Sequence, residues 1–380
     1  MGREQRIYIV RMDNKHFVSL VWACILLALP MSLGASTIYG ITDIGVLPGG
    51  SVSSATAISS NGLVAGYGDT AGAYSQPFLW SSGAGLVGLN VNSSFALAQA
   101  VNASGTVVGY QFSADLSTTS AFITNGSSTT LIPTLGGSNN AATAINDNGA
   151  VVGYSDTADG SRIAFSYDGS TLSSLGLLPG GTTSAAYAIN QSGVIVGQAD
   201  AADGSFHAVV DSGGTWTDLG VPFGYASSDA TAIAASGYIA GTFADEFGAS
   251  MGFLVAPSDP TAMILLGALM PGGDSQTYGI NSSGLAVGSS DGVAFLFDAT
   301  GIHDLNALLD STSAGWNLES AMAINDLGQI AGTGYYNGAL HGFLLDPEAS
   351  PSPEPASALL AGAGILLAAC WRRRSRKEKA

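Results

Sequence analysis

ATAINDNGAVVGY, residues 142–154, is the stretch from which the fold can be read. ATAI and AVVGY are short runs of strand-forming residues, and Asp147, Asn148 and Gly149 turn the chain between them. Glycine supplies the positive φ that a tight hairpin needs. Beyond the loop SDTADGS, AFSY from Ala164 reads as a third strand. A turn at Asp168 and Gly169 leads to a fourth, TLSSLG. One unit therefore yields four antiparallel strands.

The pattern recurs seven times, beginning at Ala57, Ala100, Ala144, Ala188, Ala232, Gly279 and Ala323. Its second glycine falls at Gly66, Gly109, Gly153, Gly197, Gly241, Gly288 and Gly332, at intervals of 43, 44, 44, 44, 47 and 44 residues. A period of roughly 40–45 residues with four strands per unit is that of a β-propeller. Third strands recur as PFLW, AFIT, HAVV, GFLV, AFLF and GFLL. A fourth strand follows each third strand except GFLL, and the missing one stands at the front as IYGITDIGVLPGG from Ile38. The expected fold is an all-β, seven-bladed propeller of four-stranded antiparallel blades, with the N-terminal strand completing the last blade so that no edge stays open between the first and last blades. The small residues of ATAI place that strand innermost. The glycine of VVGY reads as a position of close approach between strands or blades.

Charge is distributed unevenly. Between His16 and Trp371 there are 25 acidic residues and one base, Arg162, a net of −24. Such a surface repels phosphate backbones and excludes nucleic acid as a partner, which leaves divalent cations, cationic groups and neutral glycans. Cys24 and Cys370 both lie in terminal apolar segments, so an exported body would carry neither a disulfide nor a thiolate metal site.

The ends read as addresses. Lys15, the apolar run FVSLVWACILLALPM and the small residues Ser32, Gly34, Ala35 and Ser36 form a signal peptide over residues 1–36, with Met12 as an alternative start. After the propeller at 37–346 comes a proline-rich linker at 347–355, an apolar helix at 356–371 and a basic tail at 372–380. Sixteen helical residues span roughly 24 Å against about 30 Å of hydrocarbon, so this transmembrane helix would be short. Arginines immediately after it place the tail in the cytoplasm and the body outside. Pro353, Glu354 and Pro355, the short helix, and then Arg372, Arg373 and Arg374 together resemble the PEP-CTERM sorting signal. The resemblance implies an exosortase-type processing enzyme as partner, transient anchoring in the inner membrane through the helix, and delivery to the cell surface or its polysaccharide matrix. A serine precedes the motif where the family often has valine.

The repeats, from about Ile38 to Leu345, are similar to the extracellular HAF-repeat proteins. LGGSNNAATAINDNGAVVGY, the His-Ala-Val and His-Gly-Phe triplets at His207 and His341, and DLG in the fourth strand carry the likeness. It implies an exported repeat protein and no defined enzymatic activity.

Loops from second to third strand and from fourth to first strand should share one face. There Asp156 with Asp159, and Asp200 with Asp203, stand three apart in adjacent blades, a spacing compatible with calcium, although neither loop has a full 12-residue ligand pattern. Asp159-Gly160 and Asp203-Gly204 equally read as solvated hairpin turns. Tyr67, Tyr110 and Tyr154 recur beside these loops and suit stacking on sugars, or simple packing with the hydroxyl in water. There is no HExxH helix and no Walker loop. The sequence thus points to a non-enzymatic surface or matrix protein that binds polysaccharide or surface proteins. The rival is a carbohydrate-active enzyme, a glycoside hydrolase or lyase, working through carboxylates on the propeller face.

Overall fold

In the computed structural model residues 37–348 are described, and they form seven four-stranded antiparallel sheets. In six sheets, numbered here as blades 1 to 6 along the chain from the one that begins at Ser53, the strands lie in chain order from the axis outward, and the seventh is blade 7. In the seventh, Tyr39–Gly45 takes the outermost place against Ala339–Pro347. The pairing runs from Tyr39 opposite Pro347 to Asp43 opposite Phe343, so the ring closes by the N-terminal strand, as the repeat count requires. One departure is local: IHDLNAL is a strand only over Gly301–Asp304, and Leu305–Leu308 forms a 3-10 turn capped by the Asp304 carboxylate. The signal peptide, the PEP motif, the apolar helix and the arginine tail all lie outside the described residues. Among the described residues no helix is long and apolar enough to cross a membrane.

Every innermost strand carries a β-bulge at one place, between Ala55 and Ala57, Ala98 and Ala100, Ala142 and Ala144, Ala186 and Ala188, Ala230 and Ala232, Thr277 and Gly279, and Ala321 and Ala323. The recurrent VVGY glycine pairs beside it. A Cβ on Gly153 would stand 2.0 Å from the Ala141 carbonyl oxygen, and one on Gly66 2.0 Å from that of Ser54. The glycine therefore admits the bulged strand of its own blade, which strengthens the local twist. A third-strand ring packs over it: Phe78, Phe122, Phe165, Phe253, Phe295 and Phe343 are fully buried, and Val209 takes the place in blade 4. Gly-over-Phe is the core unit of a blade.

Side-chain hydrogen bonds tie the blades together. The turn asparagine of one blade donates through Nδ2 to the matching carbonyl of the next: Asn102 to Asn146, Asn146 to Asn190, Asn190 to Ala234, Asn281 to Asn325, and Asn325 to Ser59. Where Ser59 replaces asparagine, Asn61 bridges to the Ala103 carbonyl instead. Blade 5 has Ala234, so among the described residues this belt lacks its link from blade 5 to blade 6. Higher in the inner strands, Thr56, Thr143 and Thr231 donate to the Ala98, Ala186 and Thr277 carbonyls of the following blade. Short polar side chains thus satisfy backbone carbonyls on the otherwise unpaired inner edges.

Candidate functional site

The hairpins joining second to third strands and the loops joining fourth to first strands lie on one face, opposite the asparagine belt. Four very exposed apolar side chains, Tyr74, Phe223, Phe247 and Met270, stand on loops or strand ends of this face, and Leu327 stands on the other.

The four carboxylates considered for calcium are not brought together. Asp156, near the end of the second strand of blade 3, lines the groove beside Tyr154 and Arg162, whereas Asp159, in the turn beyond it, lines a different hollow with Thr157 and Ser161. Asp159 accepts from the Thr157 hydroxyl and the Ser161 N–H, which hold it below the usual carboxylate range. Asp203 is held low in the same way by the hydroxyl and N–H of Ser205. Both are turn residues. Asp200 accepts from the N–H groups of Thr182 and Thr183 and from the Thr182 hydroxyl. Burial works against its ionisation, yet those donors bring its pKa below the ordinary value. Asp69 grips Ser51 and Val52 identically. These aspartates latch the GG-Ser/Thr loop that enters their own blade, and the second glycine is needed there: a Cβ on Gly181 would meet the Asp200 carbonyl oxygen at 2.1 Å. Among the described residues no three His, Cys, Asp or Glu side chains gather into a metal site.

The three described histidines each pair with an aspartate, His303 with Asp298 at 3.0 Å. His207 bonds Asp218 at 2.8 Å and His341 bonds Asp43 at 2.9 Å, each joining third strand to fourth within one blade. The His of the triplet and the Asp of DLG are one pair, and in blade 7 it clips the N-terminal strand in place. Two strings match G-x-S-x-G, Gly248–Gly252 and Gly288–Gly292, but Ser250 and Ser290 are buried within β-hairpins. Ser290 Oγ donates to the Asp274 carbonyl at 2.8 Å. Neither serine stands on a strand-to-helix elbow.

The tyrosines do converge. Tyr67, Tyr110 and Tyr154 belong to consecutive blades, and burial together with the neighbouring Tyr154 and Tyr67 rings raises the Tyr110 pKa. Tyr187, on the inner strand of blade 4, extends the set. Burial, then Asp229 and Tyr154, push its hydroxyl up to about 12. Asp229, half-buried on the inner strand of blade 5, accepts from the Thr242 N–H at 3.2 Å. Burial raises its pKa to about 6. It also bears on Tyr278 of blade 6, whose pKa is raised first by burial. Sequence reasoning passed over Asp229, although a carboxylate in a strand of small residues, SSDATAI, was a visible break in the pattern. Arg162 was counted as a charge but not placed. Its guanidinium carbon lies 4.5 Å from the Tyr154 ring centroid, and its Nε lies 3.5 Å from Asp156.

No protein-family model matches the chain, and no curated protein matches it. Among solved structures it is similar to the β-propeller domain of the Trilobed protease from Pyrococcus furiosus, which has an open velcro topology, at 7% identity and TM-score 0.50, covering 82% of this chain and 96% of that one. It also matches YCF48 bound to D1 peptide, at 12% identity and TM-score 0.48, over 83% of this chain and 98% of that one. A third match is the gluconolactonase XC5397 from Xanthomonas campestris, at 12% identity and TM-score 0.42, over 82% and 90%. At such identities the likeness concerns the fold alone. In this chain the ring is closed by its own N-terminal strand.

Proposed function

We propose that this chain is an exported cell-surface or matrix protein whose propeller serves as a non-enzymatic binding or structural module. It is delivered by the signal peptide, held transiently by the C-terminal helix and processed at the PEP motif by an exosortase-type enzyme. The observation that supports a binding role best is the groove shared by Tyr154 and Tyr187 of adjacent blades, with Tyr67 and Tyr110 at the strand position of Tyr154 in the two preceding blades. Rings that offer both an apolar surface and a hydroxyl suit polyhydroxylated ligands or protein surfaces. The sorting part rests on the sequence of the C-terminus alone. Cell fractionation with mass spectrometry of the mature C-terminal peptide tests it: a peptide ending at Ala380 in the inner membrane refutes processing.

Asp229 favours a second reading, a carbohydrate-active enzyme. A carboxyl held near 6 among tyrosines has the proton affinity of a general acid. A hydrolysis screen with Asp229→Asn separates the readings, since turnover that vanishes in the variant would establish the enzyme.

A further inference from the structure

The groove between blades 3 and 4 encloses about 520 Å³, within the range of small-ligand clefts, ~300–1,000 Å³. Tyr154, Asp156, Arg162, Tyr187, Gln198 and Phe206 line it. Three of these differ from most of their counterparts in the other blades. Tyr187 stands at the bulge position where Thr56, Thr143 and Thr231 bridge to the next blade and where blade 6 has Tyr278. Its hydroxyl instead donates to Gln198 Oε1 at 3.1 Å, within its own blade. Gln198 occupies the position after the VVGY glycine, tyrosine in blades 1 to 3. Arg162, the one base of the body, opens the third strand where blades 1 and 5 have Ser75 and Ser250 and blade 2 has Thr119. None of the three is required by the fold, and all three meet in one cleft.

The donors of this cleft lack protein acceptors. Gln198 Nε2 and the terminal guanidinium nitrogens of Arg162 have no hydrogen-bond partner among the described residues. Unpartnered N–H groups call for oxygen acceptors, which rules against an ammonium ligand. A polyanion is disfavoured too. Asp156 already neutralises Arg162, and the surrounding body carries a net charge of −24. What remains is a neutral polyhydroxyl ligand with an apolar face for the exposed Phe206 ring and the half-buried Tyr187 ring.

Resting on the reading of the chain as an exported binding propeller, we infer that the cleft between blades 3 and 4 is a saccharide-binding subsite for neutral hexose units, with Arg162 and Gln198 bonding hydroxyls and Phe206 and the Tyr187 edge packing on the ring. The full chain is tested by affinity electrophoresis in gels containing neutral α- and β-linked glucans or galactans, and in gels containing alginate or polygalacturonate. Tyr187→Thr and Arg162→Ser install the residues the repeat itself uses, so both should fold, which circular dichroism and an unchanged Tm verify. The neutral gels should retard the wild type, each variant should weaken retardation at least tenfold, and the uronate gels should leave migration unchanged. Retardation by neutral glycan that both folded variants retain would overturn the subsite while leaving a binding propeller intact. Retardation by uronates alone, or by no glycan, would overturn the subsite outright, and the fractionation experiment would still decide surface location independently.

Discussion

Replacing Gly153 by alanine should cost far more than an alanine in a β-strand ordinarily does. The new Cβ would lie 2.0 Å from the Ala141 carbonyl oxygen and 3.0 Å from the Ala142 Cα. Both are backbone atoms of the paired inner strand, so no side chain can swing away and the two strands must part by about 1 Å. Overpacking of this kind costs about 1–3 kcal/mol, and weakening one or two ladder hydrogen bonds at the bulge adds about 1 kcal/mol each. The lower chain entropy of unfolded alanine returns about 0.4–1 kcal/mol. A net loss of about 2–4 kcal/mol in a domain of this size lowers Tm by roughly 3–6 °C. Gly83→Ala is the control, because its Cβ meets nothing within 4 Å and its φ is not in the left-handed region. Thermal melts and urea titrations of both variants provide the measurement. A Gly153→Ala protein that melts with the wild type, or a Gly83→Ala protein that loses as much, would refute the strand-approach account of the repeated glycine.

Ala234→Asn should raise stability by about 1 kcal/mol by supplying the missing belt link from blade 5 to blade 6, and unchanged or lower urea midpoints would count against the belt. Asn146→Ala removes an inter-blade bond to Asn190 and two acceptor contacts within its turn, so a loss of about 2–3 kcal/mol is expected from the same titrations. Asp229→Asn tests the buried carboxyl through pH. Its folded pKa, about 6, lies above the ordinary aspartate value of 3.8, so the ionised form is disfavoured in the fold. The carboxyl costs nothing below about pH 4, and stability is lost as pH rises from there through 6. The variant should match the wild type at pH 4 and exceed it at pH 7.5 by on the order of 2–3 kcal/mol. Equal differences at both pH values would contradict this. Tyr39→Ala should cost about 3–5 kcal/mol and promote association, because the side chain that seats the closing strand is fully buried. Light scattering during the melt would reveal it.

The period of the VVGY glycine, the strand count and the absence of a fourth strand after GFLL were enough to specify the blades and their closure. These features are repeated, and a repeated unit states its local conformation seven times. The reason for the glycine needed coordinates, since a bulge opposite Gly153 has no mark of its own in the letters ATAI. The acidic loops misled for a related reason. Spacing places Asp156 and Asp159 close in sequence, but one stands near the end of a strand and the other in the turn beyond it, where they line different hollows, and Asp200 is occupied by the backbone of Thr182 and Thr183.

Sequence by itself determined a closed seven-bladed ring with an acidic body and terminal segments that read as sorting signals, because hairpin turns, alternation and net charge are local or additive properties. Only the tertiary structure decided which side chains share a site. Tyr154 and Arg162 come from blade 3, Tyr187 and Gln198 from blade 4 and Asp229 from blade 5, and their meeting depends on blade packing about the axis rather than on any spacing along the chain.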